Sequence, residues 1–128
     1  MSRVIETHSV NGLNEYLLIN VLDEPGPGGA NHEYQIRRWV TGTGDQHDDA
    51  ELCNIKFQKG PIKEDGVNGV SNEALLAIVL DRLQGFQQGP YACYANQCAI
   101  ERISQAMAAL MQRTEERIAR GVEGTSQL

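Results

Sequence analysis

The sequence predicts an α+β protein, in which a small antiparallel N-terminal β-sheet is followed by a C-terminal antiparallel helical hairpin. Two patterns indicate this class. Residues 1–60 contain short apolar runs bounded by turn formers, and residues 71–121 contain apolar residues at helical 3-4 spacing. A chain of 128 residues fits one domain, so we expect 1–128 to be a single domain with these two parts.

Three segments have the composition of β-strands: Glu15–Leu22, His32–Val40 and Glu51–Gln58. The first two flank Asp23–Asn31, a loop dense in turn formers, so we expect them to pair as an antiparallel hairpin. The connection Gly60–Val70 also holds several turn formers, and we expect it to be ordered without forming a helix.

Two helices follow. The hydroxyl of Ser71 can cap the first helix by accepting a free backbone N–H of its first turn, and the Gly-Pro pair at 89–90 stops that helix. The second helix is expected from about Cys93 to Arg120. Gly121 stands where helices commonly end in a left-handed residue.

The second helix carries a seam at 3-4-3-4 spacing, which is typical of packed helices. The seam is apolar and small in the middle and polar at both ends: Asn96, Ala99, Ile103, Ala106, Leu110, Arg113 and Arg117. A second apolar stripe lies beside it: Ile100, Ile103, Met107, Leu110 and Thr114. The pattern leaves open which of the two faces the core. Taken one at a time, these polar residues have ordinary explanations: arginines favour the end of a helix dipole, and an Asn in a first turn bonds to local backbone. Because they all lie on one stripe, they together indicate a ligand-binding site.

The polar groups at the two ends of the seam lie too far apart in one chain to share a small ligand. Asn96 and Arg113 are 17 positions apart, or about 26 Å at a rise of ~1.5 Å per residue. Phe86 shares the hairpin tip with Asn96, whereas Arg113 and Arg117 lie at the opposite end. If one small ligand uses all four, two hairpins must pack antiparallel, and a two-fold homodimer then makes two equivalent sites between protomers.

Composition excludes several classes of function. The net charge of −6 disfavours a DNA- or RNA-binding protein, which usually has a basic footprint. The longest apolar run, Ala74–Leu80, is too short to span a membrane, and the first residues lack the apolar core of a signal peptide. We therefore expect a cytoplasmic protein. Most of the basic residues are Arg, which favours fork-like contacts to phosphate.

The three cysteines, Cys53, Cys93 and Cys98, are an odd number, which argues against a closed disulfide framework. We expect Cys53 in a strand and Cys98 in a helix. Because cysteine side chains are small and apolar, we expect these residues to be buried hydrophobic side chains.

No catalytic constellation is present in the sequence. The histidines His8, His32 and His47 lie outside the hairpin, and no Ser-His-Asp or Cys-His pairing is indicated. The acidic loop around His47, within Thr41–Ala50, has no standard metal-ligand spacing, so we expect no metal and no cofactor.

The segment Val122–Leu128 is small and polar, and the pattern allows two interpretations. It is disordered, or its backbone N–H groups and the Thr125 hydroxyl close over a phosphate near Arg113 and Arg117.

From Phe57 onward the sequence resembles the first type of Thoeris anti-defence proteins encoded by phages. The resemblance rests on Phe57–Pro61, Asn68–Gly69, Asp81–Leu83, Phe86–Pro90, Asn96, Arg113–Arg117 and Gly121–Thr125. The helical hairpin is similar to one shared with anti-CBASS sponge proteins. The first 50 residues match only in outline.

The resemblance implies a sponge, which sequesters cyclic ADP-ribose isomers made by TIR-domain enzymes and keeps them from their effector. It also implies that some members hold cyclic di- and trinucleotides at separate sites in a hexamer. The family's pocket lies between protomers. It uses an aromatic residue, an asparagine and two arginines, which match Phe86, Asn96, Arg113 and Arg117. We expect a binding protein without enzymatic activity. The alternatives are a hydrolase of the same nucleotides and a structural helical-hairpin assembly protein.

Overall fold

Four antiparallel strands form one sheet in the order β1-β2-β3-β4. In this computed structural model, which describes residues 3–38 and 50–128, the strands are Arg3–Ile5 (β1), Leu17–Val21 (β2), Glu33–Arg38 (β3) and Ala50–Lys56 (β4). The chain divides into two units, Met1–Lys59 and Gly60–Leu128. The first contains the sheet and the second contains the helical hairpin, so the predicted α+β class is confirmed.

The register of the sheet places apolar residues on one face. Ile5, Ile19, Ile36 and Cys53 pair successively across all four strands. In the next row of the same face, Val21 is fully buried. Because side chains alternate along a strand, the intervening positions form a more polar face.

The Asp23 carboxylate organises the loop between β2 and β3. It accepts backbone N–H groups from His32 at 2.9 Å and Glu33 at 3.1 Å. The Asn31 side chain donates to the Asp23 carbonyl at 2.7 Å. Gly26 is required here because a Cβ at that position would lie 2.9 Å from the His32 ring. The turn residues therefore fix how β3 returns alongside β2.

The strand predictions differ from the structure at several ends. The predicted strand Glu15–Leu22 begins later, because Gly12–Glu15 form one helical turn (α1) capped by the Asn11 side chain. The three-residue β1 was not predicted, since three residues are too few for an alternating pattern to be recognised. The end of predicted strand His32–Val40 and the loop Thr41–Ala50 fall largely outside the described residues.

The connection before the hairpin contains a short helix. Ile62–Asp65 form one helical turn (α2) directly after Pro61, so the expectation of no helix within Gly60–Val70 was wrong. A single turn has no apolar periodicity that the sequence could display. The backbone N–H of Lys63, the second residue of α2, donates to the Gly124 carbonyl at 3.0 Å.

The hairpin helices are Asn72–Gln87 (α3) and Tyr94–Ala119 (α4). The Ser71 hydroxyl accepts the N–H of Ala74 at 3.1 Å, as the sequence predicted. Gly121 has φ +73°. The N–H of Val122 donates to the Arg117 carbonyl and that of Gly121 to the Ile118 carbonyl, both at 3.0 Å. This is the Schellman pattern of helix termination.

The second of the two apolar stripes on α4 is the more completely shielded, which indicates that it faces α3. All its members are half-buried: Ile100, Ile103, Met107, Leu110 and Thr114. On the other stripe, Ala106 and Arg113 are exposed. Neither helix, each of them fully described, contains a buried residue. Large apolar side chains such as Met111 and Ile118 remain 61% and 60% exposed. One chain thus leaves much of its helical apolar surface uncovered.

The cysteine expectation needs correction. Cys53 lies in β4 and Cys98 in α4, as predicted, and all three cysteines are free. Cys53 and Cys93 are exposed rather than buried, and Cys98 is half-buried. Cys93 instead serves as the N-cap of α4, where its Sγ accepts the N–H of Asn96 at 3.4 Å.

Acid stability should depend on Asp23. Burial of this carboxylate acts to raise its pKa, but N–H groups from Glu33 and His32 lower the pKa below the ordinary 3.8. A lowered folded-state pKa contributes stability above the unfolded value, and the contribution is lost as pH falls through the folded value. We expect Asp23→Asn to lower the thermal midpoint near pH 7 and to differ less from wild type below pH 3.8.

Thermal melts of both proteins between pH 7 and pH 2.5 check this expectation. Glu6→Gln, at an exposed carboxylate of the same unit, is the matched control and should not change the midpoint appreciably. A difference between Asp23→Asn and wild type that stays constant with pH would contradict the assignment.

Candidate ligand-binding site

The hairpin tip carries an aromatic and an amide group. The Phe86 ring meets the Tyr91 ring edge-on, with centroids 6.5 Å apart. The Arg82 guanidinium lies over the Phe86 ring at 5.1 Å from its centroid. The Asn96 side chain donates to the Tyr91 carbonyl at 3.4 Å. Phe86 and Asn96 thus share one end of the hairpin through Tyr91, as the sequence predicted.

Local hydrogen bonds hold the shape of this tip. The side-chain oxygen of Gln87 accepts the N–H of Cys93 at 2.9 Å, and Cys93 in turn caps α4. Gln87 is the last residue of α3 and Cys93 precedes the first residue of α4, so this bond ties the two helix ends together. Phe86 remains 37% exposed. Its ring is therefore positioned by the fold and still partly open for stacking.

Arg117 organises the opposite end of the hairpin. Its Nε donates to the Glu123 carboxylate at 3.1 Å. Its Nη1 donates to the Gln127 carbonyl at 2.9 Å, and its Nη2 donates to two further carbonyls. Those two belong to Val122 at 3.0 Å and Thr125 at 3.1 Å. The segment 122–128 is therefore folded against the end of α4 in this structure.

The Thr125 hydroxyl has partners within the same segment. It donates to the Val122 carbonyl and accepts the N–H of Gln127 at 3.3 Å. The structure thus brings Thr125 to Arg117, as expected, through the backbone carbonyl of Thr125. The hydroxyl itself helps to shape the turn.

A cavity of about 230 Å³ opens at this end, lined by Arg113, Glu116, Arg117, Arg120 and Leu128. Three arginine side chains and the Glu116 carboxylate come together in this lining. Arg120 is held by Glu116, with Nε 3.4 Å from Oε1, and donates to the Leu128 carbonyl at 2.9 Å. Arg113 is exposed. This arrangement suits an anion with several oxygens, because guanidinium groups form fork-like contacts to phosphate.

The predicted ligand-binding residues form two groups in one chain. Phe86 and Asn96 lie at the tip, whereas Arg113, Arg117 and Thr125 lie at the far end of the continuous helix α4. Asn96 and Arg113 are 17 positions apart along the helix, which corresponds to about 26 Å. A single chain therefore does not bring the aromatic group and the arginines to one small ligand.

Four residues of these two ends were missed by the sequence reasoning: Arg82, Tyr91, Arg120 and Glu123. Arg82 precedes Phe86 by four positions, and i,i+4 spacing on a helix predicts their contact. Arg120 likewise pairs with Glu116 at i,i+4 spacing. No local pattern indicates Glu123, because its contact with Arg117 depends on the segment turning back.

The described residues offer recognition groups at both ends of the hairpin. Within residues 3–38 and 50–128, no group of three or more His, Cys, Asp or Glu side chains is arranged to hold a metal ion. The acidic loop around His47 lies outside these residues. Over the same two ranges, no helix is long and apolar enough to cross a membrane.

The fold and these two ends define a helical-hairpin protein with an aromatic-amide tip and an arginine-lined cavity. The chain belongs to the family of the Acb2/Tad1 hairpin domain, whose model matches residues 49–115. This confirms the family resemblance seen in the sequence. Phe86, Asn96 and Arg113 fall within the matched range, and Arg117 and Thr125 lie just beyond it.

A curated relative from Bacillus phage SBSphiJ7, named Thoeris anti-defense 1, is 48% identical over 75 residues. The match covers 59% of this chain and 53% of the relative. The chain thus spans about half the length of the curated relative that it matches.

Proposed function

We propose that this protein is a phage anti-defence sponge, which binds and sequesters a cyclic ADP-ribose isomer made by a TIR-domain enzyme. The main observation in favour is that a hairpin of the Acb2/Tad1 family carries an aromatic-amide tip at one end and an arginine cavity at the other. The name of the Bacillus phage relative, Thoeris anti-defense 1, supports the same biological role. The protein acts in the cytoplasm of the infected host.

Each group of the site matches a part of this ligand. Phe86 stacks on the adenine, because aromatic rings offer a sequence-tolerant surface to a base. Asn96 hydrogen-bonds the base or the ribose. Arg113 and Arg117 hold the diphosphate, whose negative charges need charge-assisted donors, and Thr125 closes the phosphate end.

The ligand site is completed by a second copy of the chain. Two hairpins packed antiparallel bring the tip of one protomer to the arginine end of its partner, which removes the separation of about 26 Å. The predicted seam, with its small exposed residue Ala106, supplies surface for such packing. A two-fold dimer has two equivalent sites, and assembly of three such dimers would give a hexamer.

Sequestration requires no chemical change in the ligand. Tight binding of the ground state is sufficient, so the protein needs no group that prefers a transition state. Neither end of the hairpin contains a histidine in the described residues. These features favour a sponge over a hydrolase of the same signal.

The proposal is tested by ligand capture. Purified protein is mixed with a cyclic ADP-ribose isomer from a TIR enzyme, free ligand is removed, the protein is heat-denatured, and the released material is analysed by mass spectrometry. We expect unchanged ligand at about one per protomer, as two equivalent sites per dimer require. A linear product would indicate a hydrolase. The absence of captured ligand would reject the proposal and direct the same assay to cyclic di- and trinucleotides.

Arg113→Ala should strongly reduce ligand capture and leave the oligomer intact, because Arg113 is exposed and lines the arginine cavity. Loss of a charge-assisted contact to a diphosphate weakens binding by about tenfold or more. Titration calorimetry measures the affinity, and sedimentation measures the mass. Arg38→Ala, at an exposed arginine of the sheet unit, is the control and should bind like wild type. An Arg113→Ala protein that loses its oligomer would favour the structural assembly alternative.

Ala106→Glu should break the dimer and ligand binding together. Ala106 is exposed in one chain and lies in the middle of the predicted seam, where a carboxylate would be buried against the partner without a counter-ion. Ala108→Glu places the same charge on the opposite side of α4 and should change neither property. Sedimentation and ligand capture are compared for both variants. Retained ligand binding by a monomeric Ala106→Glu protein would contradict the interprotomer site.

A further inference from the structure

The Arg117 guanidinium is largely occupied by its own chain. Four of its five N–H bonds donate to the segment 122–128: one to the Glu123 carboxylate and three to backbone carbonyls. Both hydrogens of Nη2 are used, so the hydrogen left over belongs to Nη1. The side chain is only 11% exposed, yet it lines the arginine cavity.

Glu123 is the charged partner among these four acceptors. A hydrogen bond between ionised groups is roughly twice as strong as one between neutral groups. The Glu123 side chain is 40% exposed and sits one residue after Val122, which is 7% exposed and ends the Schellman turn. Gly124 follows with φ +80°, and this conformation turns the backbone so that the carbonyls of Thr125 and Gln127 return to Arg117.

The segment also reaches the cavity through its last residue, whose side chain is otherwise exposed. Leu128 lines it, and its carbonyl accepts an N–H of Arg120. The orientation of Arg117, the position of the segment and the shape of the cavity are therefore coupled through one set of hydrogen bonds. Removal of the carboxylate at the centre of this set should disturb all three.

We propose that Glu123 is a positioning residue for the ligand site. Its carboxylate holds Nε of Arg117, which keeps the segment 122–128 folded beside the cavity and directs the guanidinium toward the same anion as Arg113. This inference rests on the proposed function, since it names how the phosphate end of that site is organised. Glu123 acts through Arg117 and does not contact the ligand.

The test compares Glu123→Ala, Glu123→Gln and Glu115→Ala in the full chain. Affinity for the cyclic ADP-ribose isomer is measured by calorimetry, the order of residues 122–128 by amide hydrogen exchange, and the oligomer by sedimentation. Glu115 is exposed, lies near the same end of α4 and does not line the cavity, so its variant removes an equal charge without touching Arg117.

We expect Glu123→Ala to weaken binding about tenfold and to speed exchange in 122–128, with the mass unchanged. Glu123→Gln should recover most of the affinity, because its amide oxygen still accepts the Nε hydrogen. Glu115→Ala should behave as wild type. If the amide of Glu123→Gln restores affinity, the hydrogen bond to Arg117 is what matters. If it does not, the negative charge itself is what matters.

Three results would overturn the inference. Tighter binding by both Glu123 variants would mean that the carboxylate competes with the anion. Unchanged affinity with faster exchange would mean that the segment is no part of the site. A changed mass or loss of fold in Glu123→Gln would mean a general structural role.

Failure of the proposed function is distinguishable from failure of this inference. If wild-type protein captures no cyclic ADP-ribose isomer, the sponge proposal fails, and inorganic pyrophosphate replaces the ligand as the anion probe for the same three variants. Weaker pyrophosphate binding by Glu123→Ala, with recovery in Glu123→Gln, would still support the positioning role. Equal pyrophosphate binding by all variants would reject it.

Discussion

Two helices alone cannot bury their own apolar residues, and the organisation of the hairpin follows from this constraint. A pair of helices meets along one line, so a side chain in that line is covered from one direction only. Even the inward stripe of α4, from Ile100 to Thr114, is half-buried, and neither helix contains a buried residue. Most helical stability in proteins comes from tertiary packing. The hairpin therefore needs cover from another element, and a second copy of the chain provides it in our proposal.

The length of α4 connects this packing problem to ligand binding. The helix is continuous from Tyr94 to Ala119 and is terminated at both ends by local hydrogen bonds, from the Cys93 thiol and from the Schellman turn. Such a helix holds its two ends about 39 Å apart. In the proposed dimer, the antiparallel packing that covers the apolar surface also brings unlike ends together, so that association and site formation share one geometry.

Local charge, rather than net charge, determines what the far end of the hairpin attracts. The chain carries −6 overall, yet three arginines line one cavity. Glu116 and Glu123 each hold one of these arginines in place. These ion pairs order the arginine side chains at the cavity. Preorganised donors of this kind lower the entropic cost of binding a flexible anion.

The sequence by itself determined the features that depend on neighbouring residues. Ser71 and Gly121 marked helix ends correctly, because caps involve residues within one turn, and α+β class followed from apolar periodicity. It also indicated the two polar ends of the hairpin. Tertiary structure alone decided which stripe of α4 faces α3, the exposure of Cys53, and the contact of Arg117 with Glu123. These depend on where the chain returns after a turn, and such long-range placement has no periodic pattern in the sequence.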